Sequence, residues 1–191
     1  MTLRVIEPPE PFVTWEQAKA HLREDSVDEQ AYVESLIAAA SAWIDGPSGW
    51  LGRCLGPQLL EWRGEVSSDC PSLPMGPVLE IVSIVSNPYD GPSTVDPSLY
   101  ELLADGTLEI PEGADWVDEP EHLVRYWAGY GQRDPEDAEA WIADVPAPVR
   151  HAILLLVGQW CYTRSNVRLG DAVNEMPMAV EALLAPYRVF A

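Results

Sequence analysis

Apolar positions along the 191-residue chain keep two different periods, and the change from one to the other divides it. In the last third, Val149, Ala152, Ile153, Leu156, Val157 and Trp160 recur at spacings of three and four, which draws one apolar stripe along a helix. Proline is tolerated in a helix's first turn, where its missing N–H has no intrahelical partner. Pro146-Ala147-Pro148 therefore reads as an entrance, and the helix is predicted from near Ala147 to about Arg164. Asn174-Glu175-Met176-Pro177 opens a shorter helix carrying Val180, Leu183 and Leu184, and Pro186 ends it. The amino-terminal stretch repeats the helical period. Thr14 with Gln17 forms a capping box ahead of Trp15, Ala18 and Leu22, in a helix ending around Glu24. Ser26 with Glu29, or Asp28 as the cap, then opens a longer helix through Tyr32, Val33, Leu36, Ile37, Ala40, Trp43 and Ile44. Its Ala38-Ala39-Ala40 run favours close approach of another helix, and Gly46-Pro47 stops it.

Between Gly49 and about Trp127 the period becomes that of strands. Leu60, Trp62, Gly64 and Val66 alternate with Leu59, Glu61, Arg63 and Glu65, as a sheet with one solvated face requires. The β-branched run Val78 to Val85 predicts a central strand, and Tyr100 to Ala104 with Thr107 to Ile110 predict a hairpin with a two-residue turn at Asp105-Gly106. A fifth strand ends at Trp127, before the turn Ala128-Gly129-Tyr130-Gly131. Ser67 to Pro71 and Pro88 to Pro97 read as exposed loops. Residues 1–13, with Pro8, Pro9 and Pro11, predict an extended arm that is either a frayed end or a segment packed on a neighbouring subunit. The fold class is thus α+β: an antiparallel bundle of about four helices with a β-rich insertion between the N-terminal and C-terminal helical halves. One domain spans 1–191, divided into the arm (1–13), N-terminal helices (14–48), β-rich insertion (49–131), and an acidic loop, core helix and C-terminal helix (132–191).

Charge changes this picture by excluding partners. The formal net charge is −20, from 31 acids against 11 bases, whereas residues 151–191 alone carry three of each and are neutral. Affinity for a phosphate backbone comes mainly from lysines and arginines that displace its counterions, so the charge argues against a protein that grips nucleic acid. An acidic wall past which DNA slides without sticking remains compatible, as does an acidic surface that only confers solubility. The same two readings apply to the acidic run from Gln132 to Asp144: one facing a DNA channel or a basic partner, the other a solvated loop pinned by Trp141. Cys54, Cys70 and Cys161 show no paired or metal-ligand spacing, so reduced thiols are expected. The N-terminus has no signal-peptide core, and Gly158 and Gln159 cut the apolar helix short of a membrane span; a soluble protein is expected.

No catalytic constellation assembles. His21, His122 and His151 lack metal-ligand spacing, and His151 reads as a helix-surface residue. The acid pairs Asp118-Glu119 and Asp134 with Glu136 stand on loops with no pocket residues around them, and nucleotide-binding and hydrolase motifs are missing. A non-enzymatic protein without cofactor or metal is predicted. Eight tryptophans and seven tyrosines exceed what one small core buries, and aromatics anchor protein interfaces. Trp15, Trp50, Trp116 and Tyr130, at element ends or in loops, are the candidate subunit-interface residues, whereas Trp43, Trp62 and Trp160 fit core faces. The apolar end Leu183 to Ala191 is expected to dock, on a partner or on its own subunit.

Several of these residues also carry a likeness. The strand ending Tyr126-Trp127-Ala128-Gly129-Tyr130-Gly131, the Val145-Pro146-Ala147-Pro148 entry, Arg164, Met176-Pro177 and Leu183-Leu184-Ala185-Pro186-Tyr187-Arg188 resemble the head-to-tail connector proteins of long-tailed bacteriophages and gene-transfer particles. The opening Thr14-Trp15-Glu16-Gln17-Ala18-Lys19 with His21-Leu22-Arg23, before an alanine-rich helix, resembles the same adaptors, also called head-completion proteins. The resemblance implies a ring, dodecameric to match the portal, seated beneath the portal of a DNA-filled capsid. Its other face would meet the stopper or another tail protein, and DNA would pass through its channel without specific binding. It further implies a place in the neck of a virion or gene-transfer particle, with assembly in the bacterial cytoplasm and no membrane association. Portal docking falls by this resemblance on Leu183, Tyr187, Arg188 and Phe190. The alternative from another class is an acidic DNA-mimic binding module that inhibits a nucleic-acid-binding protein.

Overall fold

The computed structural model describes residues 2–23, 27–67, 72–86, 91–116, 120–163 and 176–189. The fold is α+β, with helices contributed by both ends of the chain and antiparallel strands in between and at the start. Two compact units form, one from Met1–Glu10 and Arg53–Asp144, the other from Pro11–Gly52 and Val145–Ala191.

In the helical unit, α1 (Trp15–Leu22) starts at the predicted box: Thr14 Oγ1 accepts from the Gln17 N–H and Gln17 Oε1 accepts from the Thr14 N–H. Arg23 ends it in the left-handed conformation. The entry to α2 (Gln30–Ile44) differs from expectation. A 3-10 turn, Val27–Glu29, leads into it, and Glu29 holds the cap position without a side-chain capping bond, so Asp28 is not the cap; Ser26 and Glu24 lie outside the described residues. Val33, Ile37, Ala40 and Ile44 form its buried stripe. Of the three-alanine run only Ala40 is buried, because Ala38 and Ala39 fall off that stripe and are exposed.

Helix α3 (Ala147–Tyr162) begins where its prolines put it and buries Val149, Ala152, Ile153, Leu156 and Val157. It packs against α1, α2 and α4 (Met178–Leu184), which makes it the spine of this unit. Each fully buried aliphatic side chain on that spine contributes about 1.5–3 kcal/mol. Trp160 is only half-buried, and its ring lies 5.8 Å from that of Trp43. Helix α4 buries Val180 and Leu184, and Pro186 sits within a 3-10 turn, Ala185–Tyr187, that tightens its end. Arg164, Asn174 and Glu175 lie outside the described residues.

The other unit is built on a five-stranded antiparallel sheet. Its strands are β1 (Thr2–Glu7), β2 (Gln58–Gly64), β3 (Val78–Ser86), β4 (Ser93–Thr94) and β7 (His122–Ala128), in the order β1-β2-β7-β3-β4. Strands β2 and β7 alternate as predicted. Leu60, Trp62, Val124 and Tyr126 enter the core, which Ile84, Leu108 and Cys54 complete, and the Tyr126 hydroxyl donates to Pro74 O at 2.7 Å. On the opposite face, the cross-strand partners Glu61 and Arg125 form an ion pair at 2.9 Å.

Two expectations change here, and a third holds in part. The Val78 to Val85 run lies inside the sheet as expected, between β7 and β4, although the middle strand is β7. Strand β3 has β7 on one side and only two residues of β4 on the other, and two register shifts break its alternation, so Ile84 alone is buried and Val82 is 51% exposed. The arm is neither frayed nor free, since Thr2 to Glu7 pair along β2 as an edge strand of their own sheet. The acidic stretch after Tyr130 is a hairpin rather than a loop: β8 (Gly131–Arg133) pairs with β9 (Trp141–Ala143), and the carboxylates of Asp134 and Asp137 accept from the Glu136 and Glu139 N–H groups in its tip.

The hairpin of β5 (Glu101–Leu102) and β6 (Leu108–Glu109) is present, with a different turn. Gly106 N–H donates to Leu103 O, Leu103 N–H donates to Thr107 O, and Gly106 has φ +85°, which is a three-residue loop closed by a left-handed glycine rather than a two-residue turn.

Candidate assembly surfaces

The segment after α4 is held against the turn that follows α2. Backbone bonds from Trp50 N–H to Trp43 O and from Leu51 N–H to Ile44 O fold that turn back on the helix. The Val189 N–H then donates to Leu51 O at 2.8 Å, and the Arg188 guanidinium lies 4.0 Å from the centre of the Trp50 ring. A cation over an aromatic face contributes about 0.5–1 kcal/mol at an exposed site. Gly52, at φ +64°, completes the contact: a Cβ there would stand 2.7 Å from Val189 O. Leu183, Tyr187 and Arg188 are half-buried and Val189 is exposed, while Phe190 lies outside the described residues. Thus the chain brings Arg188, assigned to portal docking in the sequence, onto Trp50, assigned there to the subunit interface.

The remaining interface candidates are spread over both units. Trp15 is half-buried at the start of α1. Trp116 stacks on the buried His122 with ring centres 5.2 Å apart. The Tyr130 hydroxyl accepts from Arg53 Nη1, and its main chain bonds Leu55 O and Asp144 N–H. Trp50, Trp116 and Tyr130 each therefore use one face within their own chain.

Periodicity missed a further cluster. Arg133 and Trp141 are cross-strand partners in the β8–β9 hairpin, the guanidinium lies 4.0 Å from the Trp141 ring centre, and Arg133 also pairs with Glu80. Trp127 stands 6.3 Å from Trp141. The signal available in the sequence was a lone arginine in an acidic run eight residues before a tryptophan. Beyond these clusters, Val82, Ile142, Tyr162 and Met178 leave large apolar side chains in solvent.

A cleft of about 140 Å³ between Ser86, Thr94, Asp96, Leu99, Asp115 and Trp116 is small for a substrate, and among the described residues no group of three or more metal-ligating side chains assembles. Asp96 and Asp105 are held below the usual carboxylate range by the N–H groups of Ser98 and Thr107, so they are ionised turn-formers rather than proton donors. No helix among the described residues is long and apolar enough to cross a membrane.

The fold does bring together two histidines that the sequence keeps apart. His21 on α1 and His151 on α3 meet edge to face with ring centres 5.8 Å apart. Burial, and then the nearby His151, push the His21 imidazole below its ordinary 6.5. A lowered histidine binds fewer protons in the folded chain than in the unfolded one, so its contribution is complete above pH 6.5 and is lost as pH falls through the lowered value. The melting temperature of the helical unit is expected to fall between about pH 7 and pH 5, and His151→Ala is expected to flatten that slope in calorimetry.

Comparison with known proteins gives a likeness of fold. No protein-family model and no curated protein matches the chain. Among solved structures, it is similar over its full length to a chain in the neck of an empty GTA particle computed with C6 symmetry, with a TM-score of 0.71, 20% identity and 97% of that chain covered. It is similar to a chain in the virion of a native gene transfer agent (GTA) particle at a TM-score of 0.65 and 18% identity, and to one in the neck of a native GTA particle computed with C12 symmetry at 0.58 and 18%. Each match covers 100% of this chain and 97% of the other.

Proposed function

We propose that this chain is a head-to-tail connector, a structural and non-enzymatic subunit of the neck of a gene transfer agent or tailed-phage particle. The observation that carries the reading is the likeness to GTA neck chains over 100% of this chain and 97% of theirs. The reading extends to a single connector domain whose four helices form an antiparallel bundle. Twelve copies close a ring on the portal, pairing one patch of each subunit with a different patch of the next, so that no edge stays open. Trp15, Trp50, Trp116 and Tyr130 contribute to those contacts through the faces their own chain leaves uncovered, and Leu183, Tyr187, Arg188 and Phe190 engage the portal. The stopper or tail protein sits on the opposite face. The net charge of −20 then lets DNA pass without adhering.

A DNA-mimic inhibitor would share the charge, but it would not account for a full-length match to neck chains. The test is assembly: the chain, mixed with the portal protein of its own particle, is expected to yield a ring-sized species visible by electron microscopy.

A further inference from the structure

We infer that the outer face of the five-stranded sheet is a docking surface for the acidic β8–β9 tip of a second copy of this chain. Strand pairing builds the surface. Arg4 on β1 and Arg125 on β7 lie directly opposite Glu61 of β2, one on each side, and Arg63 stands two residues along β2, opposite Thr2 and Leu123. These residues point away from the core, because Leu60, Trp62, Val124 and Tyr126, which alternate with them, fill it. Three guanidiniums thus gather around one carboxylate in a chain with 31 acids and 11 bases. Arg125, 51% exposed, pairs with Glu61, whereas Arg4 is exposed and has no ion pair among the described residues. Of the other acids on this face, Glu7 stands farther along β1, opposite Leu59, and Glu80 is paired with Arg133. The arginines therefore form a positive island on an acidic protein.

The same unit carries the complement. The β8–β9 tip holds Asp134, Glu136, Asp137 and Glu139, and bonds from Asp134 N–H to Ala140 O and from Ala140 N–H to Asp137 O fix its backbone. Asp134 and Asp137 each use a carboxylate oxygen within the tip, while Glu136 and Glu139 are exposed and have no ion pair among the described residues. A preformed tip loses little freedom on docking. Exposed ion pairs are individually weak, so the charge match sets register and rate and is sensitive to salt. Leu123, half-buried opposite Arg63, and Ile142, 42% exposed on the hairpin, supply apolar area. Because the two patches differ, the contact is heterologous and passes from subunit to subunit. It deepens the connector reading and rests on it for the ring into which successive contacts close.

Charge reversal tests the contact between chains. Glu136→Lys with Glu139→Lys reverses the tip, Arg4→Glu reverses the face, and Arg4→Gln removes that charge without setting a carboxylate opposite Glu61. Sedimentation at about 50 mM and about 500 mM salt reads assembly, for the chain alone and with the portal protein of its own particle, and the melting temperature checks folding. Each variant alone is expected to assemble about tenfold more weakly than the wild type at low salt, and the wild type to weaken at high salt. The reversed tip mixed with the reversed face is expected to recover assembly, because every contact in an alternating array again joins opposite charges. Variants that assemble like the wild type, or a mixture that recovers nothing, would overturn the contact and leave Arg4 as a charge that blunts a sheet edge. Duplex DNA held by the wild type and released by Arg4→Gln would also overturn it, assigning the arginines to phosphates. A wild type that stays monomeric with and without the portal removes the connector reading and the contact together, an outcome distinct from assembly that ignores these charges.

Discussion

Gly129→Ala is expected to destabilise the sheet-bearing unit strongly while leaving it folded in the absence of denaturant. Gly129 joins β7 to β8 at φ +130°, and a Cβ there would stand 2.3 Å from Gly56 O, 2.5 Å from Gly56 C and 2.8 Å from Pro57 N. These are backbone atoms, which cannot swing aside as a side-chain end can. Forbidden backbone geometry costs about 1–3 kcal/mol, and overpacking adds a similar amount. Together they take a large share of the 5–15 kcal/mol typical of a whole domain. Gly113→Ala is the matched control, since Gly113 has φ +83° but nothing within 4 Å of the added Cβ, so it isolates backbone strain. Urea unfolding of the two variants should separate them by about 1–3 kcal/mol. Equal losses would mean that the chain does not approach Gly129 as closely as described.

A chain ending at Pro186 is expected to lose portal binding by at least an order of magnitude while keeping its helices. The truncation removes the contact of Arg188 with Trp50, the Val189 to Leu51 bond and the half-buried Tyr187, but it leaves Val180 and Leu184 buried on α4. The melting temperature should therefore fall by only a few degrees, since the buried side chains of α4 stay in place. Portal titration and circular dichroism on the same preparation separate the two effects. Unchanged portal binding with lost folding would remove the docking role from this segment.

Much of the fold was legible because local chemistry encoded it. Thr14 with Gln17, and Pro146 with Pro148, fix helix starts through bonds and missing donors within a few residues, and the structure begins α1 and α3 there. The alternation of β2 and β7 survives for the same reason. Strand order did not. A β-branched run looks alike in the middle of a sheet and beside its edge, and the bulges that expose Val82 carry no glycine to announce them. The β8–β9 hairpin was hidden because its strands are three residues each and carboxylates dominate the segment.

Of the candidate surfaces, the sequence located the aromatic and C-terminal residues but not their partners. Arg188 over Trp50 and His21 beside His151 join residues far apart along the chain, and no periodicity spans such separations. The faces these residues leave open, rather than the residues themselves, are what assembly would use.

The most direct measurement of the connector reading is the mass of the purified chain in solution, alone and mixed with the portal protein of its own particle, followed by electron microscopy of any large species. The reading predicts a twelvefold ring, formed either alone or only once the portal is present and then seated on it. A monomer whose mass does not change with the portal would contradict the reading, and the acidic surface would then be the feature from which a function has to be sought.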